Sequence, residues 1–213
     1  GLREPAGDEQ LGLIYSRLNN PDLEILEDRL TLHDGAASAA VFASGMAAIT
    51  TSLLAVVEPG DVVLYSAPIY GGSNHFLRHI LPRLGVTTVP FPAGVPFAGL
   101  EADLRTAVGK HRLGAILLET PANPTNGLVD IAAVKSFARS FAGDEHDPLV
   151  MVDNTFLGPI YQKPLTQGAD IVLYSAPKYI GGHRDVLAVA ALGSSGRVAP
   201  TRATTPITGT MDR

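Results

Sequence analysis

Apolar and polar positions alternate along this chain in blocks that predict strands followed by helices. Short runs of β-branched and other apolar residues predict strands that are buried on both faces. The predicted strands are 39–43, 62–65, 86–91, 115–119, 149–153, 171–174 and 187–192. The predicted helices are one that begins at Pro21 and those at 46–57, 73–84, 100–108 and 131–141. This alternation predicts an α/β fold, with a mostly parallel seven-stranded sheet covered by helices.

The two ends of the chain do not follow this alternation. Residues 1–20 are polar and aperiodic, which predicts an extended N-terminal arm. From Ser194 onward the chain is polar and rich in Thr and Pro, and it predicts no closing element. We therefore expect an arm over 1–20 and a single domain over 21–213.

Composition and charge narrow the classes of function. With 46% hydrophobic and 17% charged residues, the chain is typical of a globular protein with one sizeable core. A net charge of -5 disfavours nucleic acids and anionic membranes as partners, and no apolar run is long enough to cross a bilayer. A cytoplasmic location is the default expectation. The absence of cysteine excludes disulfides and thiolate sites, and the six histidines lack metal-ligand spacing, so we predict no metal site.

Several chemically capable side chains follow the predicted strands directly. Right-handed crossovers bring the turns after parallel strands to one edge of the sheet, where open α/β sheets bind ligands. The residues expected to converge at that edge are Ser44, Tyr70, Glu119, Asn123, Asp153, Ser175 and Lys178.

Lys178 and Asp153 are the candidates with the most specific chemistry. Lys178 follows the apolar run IVLY and precedes two glycines, where a lysine amine could form a Schiff base with a carbonyl compound. A surface lysine in a strand-to-loop turn is the alternative. Asp153 closes the run LVMVD and could bond a protonated pyridine nitrogen. An aspartate that caps the turn through Asn154 and Thr155 is the alternative.

Three other turns could contact a flat, phosphorylated ligand. Ser44, Gly45 and Met46 lie between a strand and a helix, where backbone N–H groups can bind phosphate, although Ser44 could also be an ordinary N-cap. Tyr70 could cover an aromatic ring or pack on the surface. Asn123 could donate to a ring oxygen or stabilise its own Pro-rich loop. No glycine fingerprint for a dinucleotide or nucleoside triphosphate occurs, which disfavours a nicotinamide dehydrogenase.

Taken together, these segments closely resemble the pyridoxal-phosphate-dependent enzymes of cysteine and methionine metabolism. That family includes cystathionine synthases and lyases, methionine gamma-lyases and O-acylhomoserine sulfhydrylases. The resemblance is carried, in the family's order, by YSRLNNPDLEILEDRL, VFASGMAAI, EPGDVVLYSAPIYGG, LLETPANPTNG, VMVDNTFLGP and SAPKYIGGH. It implies an aspartate-aminotransferase-like large domain over 21–213 with pyridoxal 5'-phosphate as cofactor. It also implies elimination or replacement at the beta or gamma carbon of sulfur amino acids or activated homoserine esters.

The resemblance also implies a role for each site residue. Lys178 and Tyr70 would be catalytic, with Lys178 the Schiff-base lysine and Tyr70 the ring that stacks on the cofactor. Asp153 would contact the pyridine nitrogen. Further cofactor contacts would come from Ser44, Gly45, Met46, Asn123, Thr155, Ser175, Tyr15 and Arg17. Tyr15 and Arg17 would reach the phosphate of a neighbouring subunit, which implies a homodimer or homotetramer.

The chain departs from the family pattern at two positions and in length. Pro177 stands where relatives usually carry threonine, so one phosphate hydrogen bond would be lost, at a cost of about 1.5–3 kcal/mol. Arg184 stands where relatives have a small residue. Relatives are much longer and add a C-terminal substrate domain, so we expect a chain truncated after the cofactor domain. The alternative function is therefore a catalytically incompetent cofactor-binding or oligomerisation fragment.

Overall fold

A computed structural model describes residues 20–143, 146–183 and 189–208, with side chains to 204. The predicted arm, including Tyr15 and Arg17, lies outside the described residues, as does Arg184. The described strands are Ser38–Phe42 (β1), Val62–Ala67 (β2), Thr87–Pro92 (β3), Leu113–Glu119 (β4), Leu149–Asp153 (β5), Ile171–Ser175 (β6) and Val189–Gly193 (β7). The described α-helices are Pro21–Asp34 (α1), Gly45–Leu54 (α2), Gly71–His75 (α3), Glu101–Val108 (α4), Ile131–Arg139 (α5), Gly158–Tyr161 (α6), Ala176–Tyr179 (α7) and Ser195–Thr208 (α8).

The seven described strands form one sheet in the order β1-β7-β6-β5-β4-β2-β3. β7 runs antiparallel to both of its neighbours, and the other adjacent pairs are parallel. The predicted α/β fold with a mostly parallel seven-stranded sheet is therefore confirmed. Strands β2, β4, β5 and β6 run in the same direction, so the turns that follow them meet at one edge of the sheet.

Helices cover the sheet on both faces because alternate strand residues point to opposite sides. On one face, Val62 and Leu64 of β2 belong to a buried cluster that also includes residues of α1, α4 and α5. The other face packs Val63 and Tyr65 against α2 and the segment 76–81. Each face therefore has its own buried apolar layer, as a helix-covered parallel sheet requires.

Residues at the helix ends account for where several helices begin and stop. The Asn20 side chain accepts the Asp22 N–H at 2.9 Å, and Pro21 occupies the first turn of α1. Gly35, with a φ of 69°, ends that helix in the left-handed conformation. The predicted helix at 73–84 begins earlier, at Gly71. It then continues as a π-helix at Phe76–Ile80 and a 3-10 helix at Leu81–Leu84.

The expectation that the chain ends without a closing element is wrong, because α8 occupies Ser195–Thr208. Val198 of this helix is fully buried against the sheet. Arg202 forms an ion pair with Glu27 of α1, and the Glu27 carboxylate also accepts the Val41 N–H at 3.0 Å. A backbone group of edge strand β1 is thereby satisfied, and α8 is attached beside it.

An ion pair connects the amino ends of the neighbouring strands β2 and β4. Asp61, which is buried, accepts the Arg112 Nε–H at 2.6 Å and a second guanidinium N–H at its other oxygen. The same carboxylate accepts the Glu58 N–H at 2.8 Å. Loss of one carboxylate oxygen would leave a guanidinium and a backbone donor without their acceptor.

We expect Asp61→Asn to lower the free energy of unfolding by about 1.5–3 kcal/mol, because the partly exposed Arg112 guanidinium and the Glu58 N–H lose a charged acceptor at a buried site. The matched control is Glu58→Gln, whose side chain is 76% exposed and lies 3.8 Å from the same guanidinium. We expect that control to change stability by at most about 0.5 kcal/mol. Urea unfolding of the three chains measures both values, and equal effects of the two substitutions would contradict the structural role given to Asp61.

Candidate active site

A cavity of about 230 Å³ opens at the sheet edge where β2, β4, β5 and β6 end. The structure brings nine sequence-predicted site residues together around it: Ser44, Gly45, Met46, Tyr70, Asn123, Asp153, Thr155, Ser175 and Lys178. Glu119, which was predicted to lie at this edge but not to bind the cofactor, also lines the cavity, as do Ile49 and Phe156, which were not predicted. The predicted convergence at one edge is thus observed for every candidate that lies within the described residues.

The first turn of α2 forms one wall of the cavity and presents hydrogen-bond donors. Ser44 is the N-cap, since its hydroxyl accepts the Ala47 N–H at 3.1 Å and its carbonyl accepts the Ala48 N–H at 3.1 Å. Among the described residues, the N–H groups of Gly45 and Met46 have no acceptor. Ser44 is therefore both a helix cap and part of a group of donors suited to an anion, so the two interpretations of this turn are compatible.

Thr155 connects the ends of β5 and β6 across the cavity floor. Its N–H donates to Asp153 Oδ1 at 3.0 Å, and its hydroxyl accepts the Ser175 N–H at 2.9 Å. Burial of the Asp153 carboxyl group raises its pKa, although the hydrogen bonds from Thr155 and the charge of Lys178 oppose that rise. The alternative interpretation of Asp153 as a turn cap is also observed, and it leaves the carboxylate facing the cavity.

Lys178 is the third residue of the short helix α7 and projects an exposed side chain at the cavity. Its Nζ lies 5.4 Å from the centroid of the Tyr70 ring, which is within the range of a cation–π contact. Among the described residues, Lys178 forms no ion pair. Pro177 lies in the first turn of α7, a position that proline fits well.

Tyr70 precedes α3, and its ring can lie close to that helix because Gly72 has no side chain. A Cβ atom at Gly72 would lie 2.7 Å from Met46 Sδ and 2.8 Å from Tyr70 Cε1. These distances are too short for any side chain, so the glycine is required for the observed position of the Tyr70 ring. Tyr70 is 44% exposed and lines the cavity, so part of its side chain is accessible there.

Glu119 ends β4 and joins two loops at the cavity. Its Oε2 accepts the Tyr70 N–H at 2.7 Å, and its Oε1 accepts the Asn123 N–H at 2.8 Å. Burial raises the Glu119 pKa, the bond from Tyr70 lowers it, and the nearby Asp153 charge raises it further. The available signal in the sequence was an acidic residue closing the apolar run AILLE.

The Asx turn considered for Asn123 is not observed among the described residues, where its side chain makes no hydrogen bond to its own loop.

Two other properties bear on the kind of site. In the described ranges, histidine, aspartate and glutamate side chains do not gather in groups of three that could bind a metal ion. None of the described helices has both the length and the apolar character needed to cross a bilayer.

The sheet and its edge cavity belong to an α/β fold of the aspartate-aminotransferase type. Comparison of this chain with known proteins then identifies its family. Residues 3–210 match the model of the Cys/Met metabolism PLP-dependent enzyme family. The chain is 40% identical over 190 residues to L-methionine gamma-lyase of Pseudomonas putida and 41% identical over 181 residues to chloroplastic cystathionine gamma-synthase 1 of Arabidopsis thaliana. This chain therefore belongs to the Cys/Met metabolism PLP-dependent enzyme family.

Solved structures agree with that assignment. The crystal structure of cystathionine gamma synthase from Xanthomonas oryzae pv. oryzae, in complex with aminoacrylate and cysteine, matches with a TM-score of 0.84 and 29% identity. That match covers 99% of this chain and 52% of the other. The alignment with the Pseudomonas enzyme covers 89% of this chain but only 45% of that enzyme. The alignment with the Arabidopsis enzyme covers 84% of this chain and 30% of that enzyme. It thus spans about half the length of its relatives, or less.

The family confirms the predicted cofactor, pyridoxal 5'-phosphate, and the residues present fit it. A carboxylate whose pKa is raised by burial, as at Asp153, suits a cationic pyridine N–H because that partner would stabilise its charge. The exposed face of Tyr70 suits a flat ring, and the donors of Gly45 and Met46 suit a phosphate.

We expect Gly72→Ala to weaken binding of pyridoxal phosphate about tenfold, because the added methyl group would displace Met46 and the Tyr70 ring. Gly71→Ala is the matched control, since a Cβ atom there meets no atom within 4 Å. Titration of each chain with the cofactor, followed by absorbance, gives the dissociation constants. A Gly72→Ala variant that binds as tightly as the control would contradict the steric role of Gly72.

Proposed function

We propose that this chain is the cofactor-binding part of an enzyme that acts on sulfur amino acids or activated homoserine esters. The reaction would be elimination or replacement at the beta or gamma carbon, as in the cystathionine gamma-synthases and gamma-lyases of its family. The observation that carries this proposal is the shared cavity of Lys178 and Asp153, where an amine without an ion pair among the described residues and a partly buried carboxylate accompany the partly exposed Tyr70.

The described residues would bind the cofactor from several sides. Gly45 and Met46 would donate backbone N–H groups to the phosphate, and the hydroxyls of Ser44 and Ser175 lie at the same wall. The Thr155 hydroxyl already accepts the Ser175 N–H, so its main role would be to fix the phosphate-facing end of β6. Pro177 provides no hydroxyl, which fits the expected loss of one phosphate hydrogen bond.

Four residues would then act on the ring and the substrate. Pyridoxal phosphate, when bound, supplies an electron sink for the alpha carbon of an amino acid. Asp153 would hold the proton on the pyridine nitrogen, since its carboxylate is partly buried and lines the cavity. Lys178 Nζ would attach the cofactor and later carry the proton removed from the alpha carbon. Tyr70 would cover one face of the ring, and Asn123 would donate to an oxygen at its edge.

We also propose a division of the chain into two parts, in which 21–213 is the cofactor domain and 1–20 is an arm. Tyr15 and Arg17 of that arm would bind the phosphate of a neighbouring subunit in a homodimer or homotetramer, because arginine suits bidentate phosphate contacts. A cytoplasmic location stays a prediction.

Replacement of the lysine tests the proposed attachment site. We expect the wild-type chain with pyridoxal phosphate to develop a visible absorption band that Lys178→Ala lacks. Lys163→Ala is the control, since Lys163 is an exposed lysine that does not line the cavity. A band that persists unchanged in Lys178→Ala would contradict the assignment.

A second candidate is a catalytically incompetent cofactor-binding or oligomerisation fragment. Turnover of cystathionine or an O-acylhomoserine by the purified chain separates the two candidates. Product formation that depends on Lys178 supports the enzyme. Cofactor binding without any turnover supports the fragment.

A further inference from the structure

The Glu119 carboxylate is the link between two loops that approach the cavity from different strands. It ends β4, whose neighbours in the sheet are β2 and β5. Its own N–H donates to the hydroxyl of Ser66, a fully buried residue of β2, at 2.9 Å. Only 6% of Glu119 is exposed, so packing fixes both ends of this residue in the middle of the sheet edge.

Both carboxylate oxygens of Glu119 bind backbone donors of cavity residues. Oε2 accepts the Tyr70 N–H at 2.7 Å, and Oε1 accepts the Asn123 N–H at 2.8 Å. Glu119 forms no ion pair within the described part of the chain. These two hydrogen bonds are therefore the close contacts that offset the free-energy cost of burying its carboxylate. A glutamine could supply only one acceptor oxygen, and its amide group would face the other backbone donor.

The hydrogen bond to Glu119 holds the Tyr70 backbone, whereas Gly72 and Met46 limit where its ring can lie. The ring is 44% exposed, and its nearest constraint is the close approach of Gly72 and Met46. Asn123 is likewise only partly buried, and its side chain makes no hydrogen bond to its own loop among the described residues. A carboxylate that holds both backbones therefore sets the distance between the two side chains across the cavity.

We propose that Glu119 is a positioning residue, whose two oxygens hold the Tyr70 loop and the Asn123 loop in one fixed arrangement for the cofactor. The part that concerns the cofactor rests on the proposed function, whereas the part that concerns the loops rests on the contacts alone. A purely structural Glu119 would affect stability without altering these loops specifically. The test therefore needs a measurement at the two loops.

The test compares Glu119→Gln with Glu27→Gln, a matched control outside the cavity. Glu27 is also buried, at 5% exposed, and its carboxylate also accepts a backbone N–H, that of Val41. Without cofactor, we expect hydrogen exchange at the Tyr70 and Asn123 amides to accelerate at least about tenfold at one or both positions in Glu119→Gln. In Glu27→Gln we expect faster exchange at Val41 and unchanged exchange at the two loop amides.

The same variants are then titrated with pyridoxal phosphate. We expect the dissociation constant to rise about 10- to 100-fold in Glu119→Gln, with a weaker visible circular dichroism of the bound cofactor, and to stay within about twofold in Glu27→Gln. Unchanged exchange at both loop amides in Glu119→Gln would overturn the proposal. Accelerated exchange with unchanged cofactor affinity would overturn its functional part. Failure of the wild-type chain to bind the cofactor would count against the proposed function, and the exchange data would still decide whether Glu119 holds the loops.

Discussion

The parallel direction of β2, β4, β5 and β6 is the constraint on which the candidate site depends. Parallel strands carry their following turns to the same edge, so residues that are far apart in the chain become neighbours there. Tyr70, Glu119, Asp153 and Lys178 each follow or end a different one of these four strands. A change of strand direction or order would separate them, whatever the local sequence around each residue.

Carboxylates at the two ends of the sheet have different kinds of partners, and this difference distinguishes the end that carries the candidate site. At the amino ends, Asp61 pairs with Arg112, and Asp170 accepts a bond from Lys135 Nζ at 2.7 Å. At the carboxyl edge, Glu119 and Asp153 form no ion pair within the described residues; N–H and hydroxyl donors hydrogen-bond to them, and the Lys178 charge acts on both from a longer distance. Burial therefore raises the pKa of both groups, and such perturbed carboxyl groups in a cavity are typical of functional sites.

The sequence predicted the sheet well because its strands are continuous apolar runs with clear ends. β5 has the predicted bounds, since the run LVMVD is followed by turn residues. The helix α8 was missed because its sequence is polar and proline-containing, and its burial depends on contacts such as that between Arg202 and Glu27. The convergence of the candidate residues was predictable because each follows a parallel strand, whereas the contacts of Glu119 depend on two loops that only the fold brings together. Tyr15 and Arg17 stay predictions.

Mass spectrometry of the borohydride-reduced chain tests the assigned site most directly. The wild-type chain would be incubated with pyridoxal phosphate, reduced, digested and searched for the lysine that carries the pyridoxyl group. The chain has four lysines, Lys110, Lys135, Lys163 and Lys178. We expect the group on Lys178 at an occupancy far above that of the exposed Lys110 and Lys163. Equal labelling of these three lysines would show that the cavity does not direct the cofactor to Lys178, and it would contradict the assigned active site.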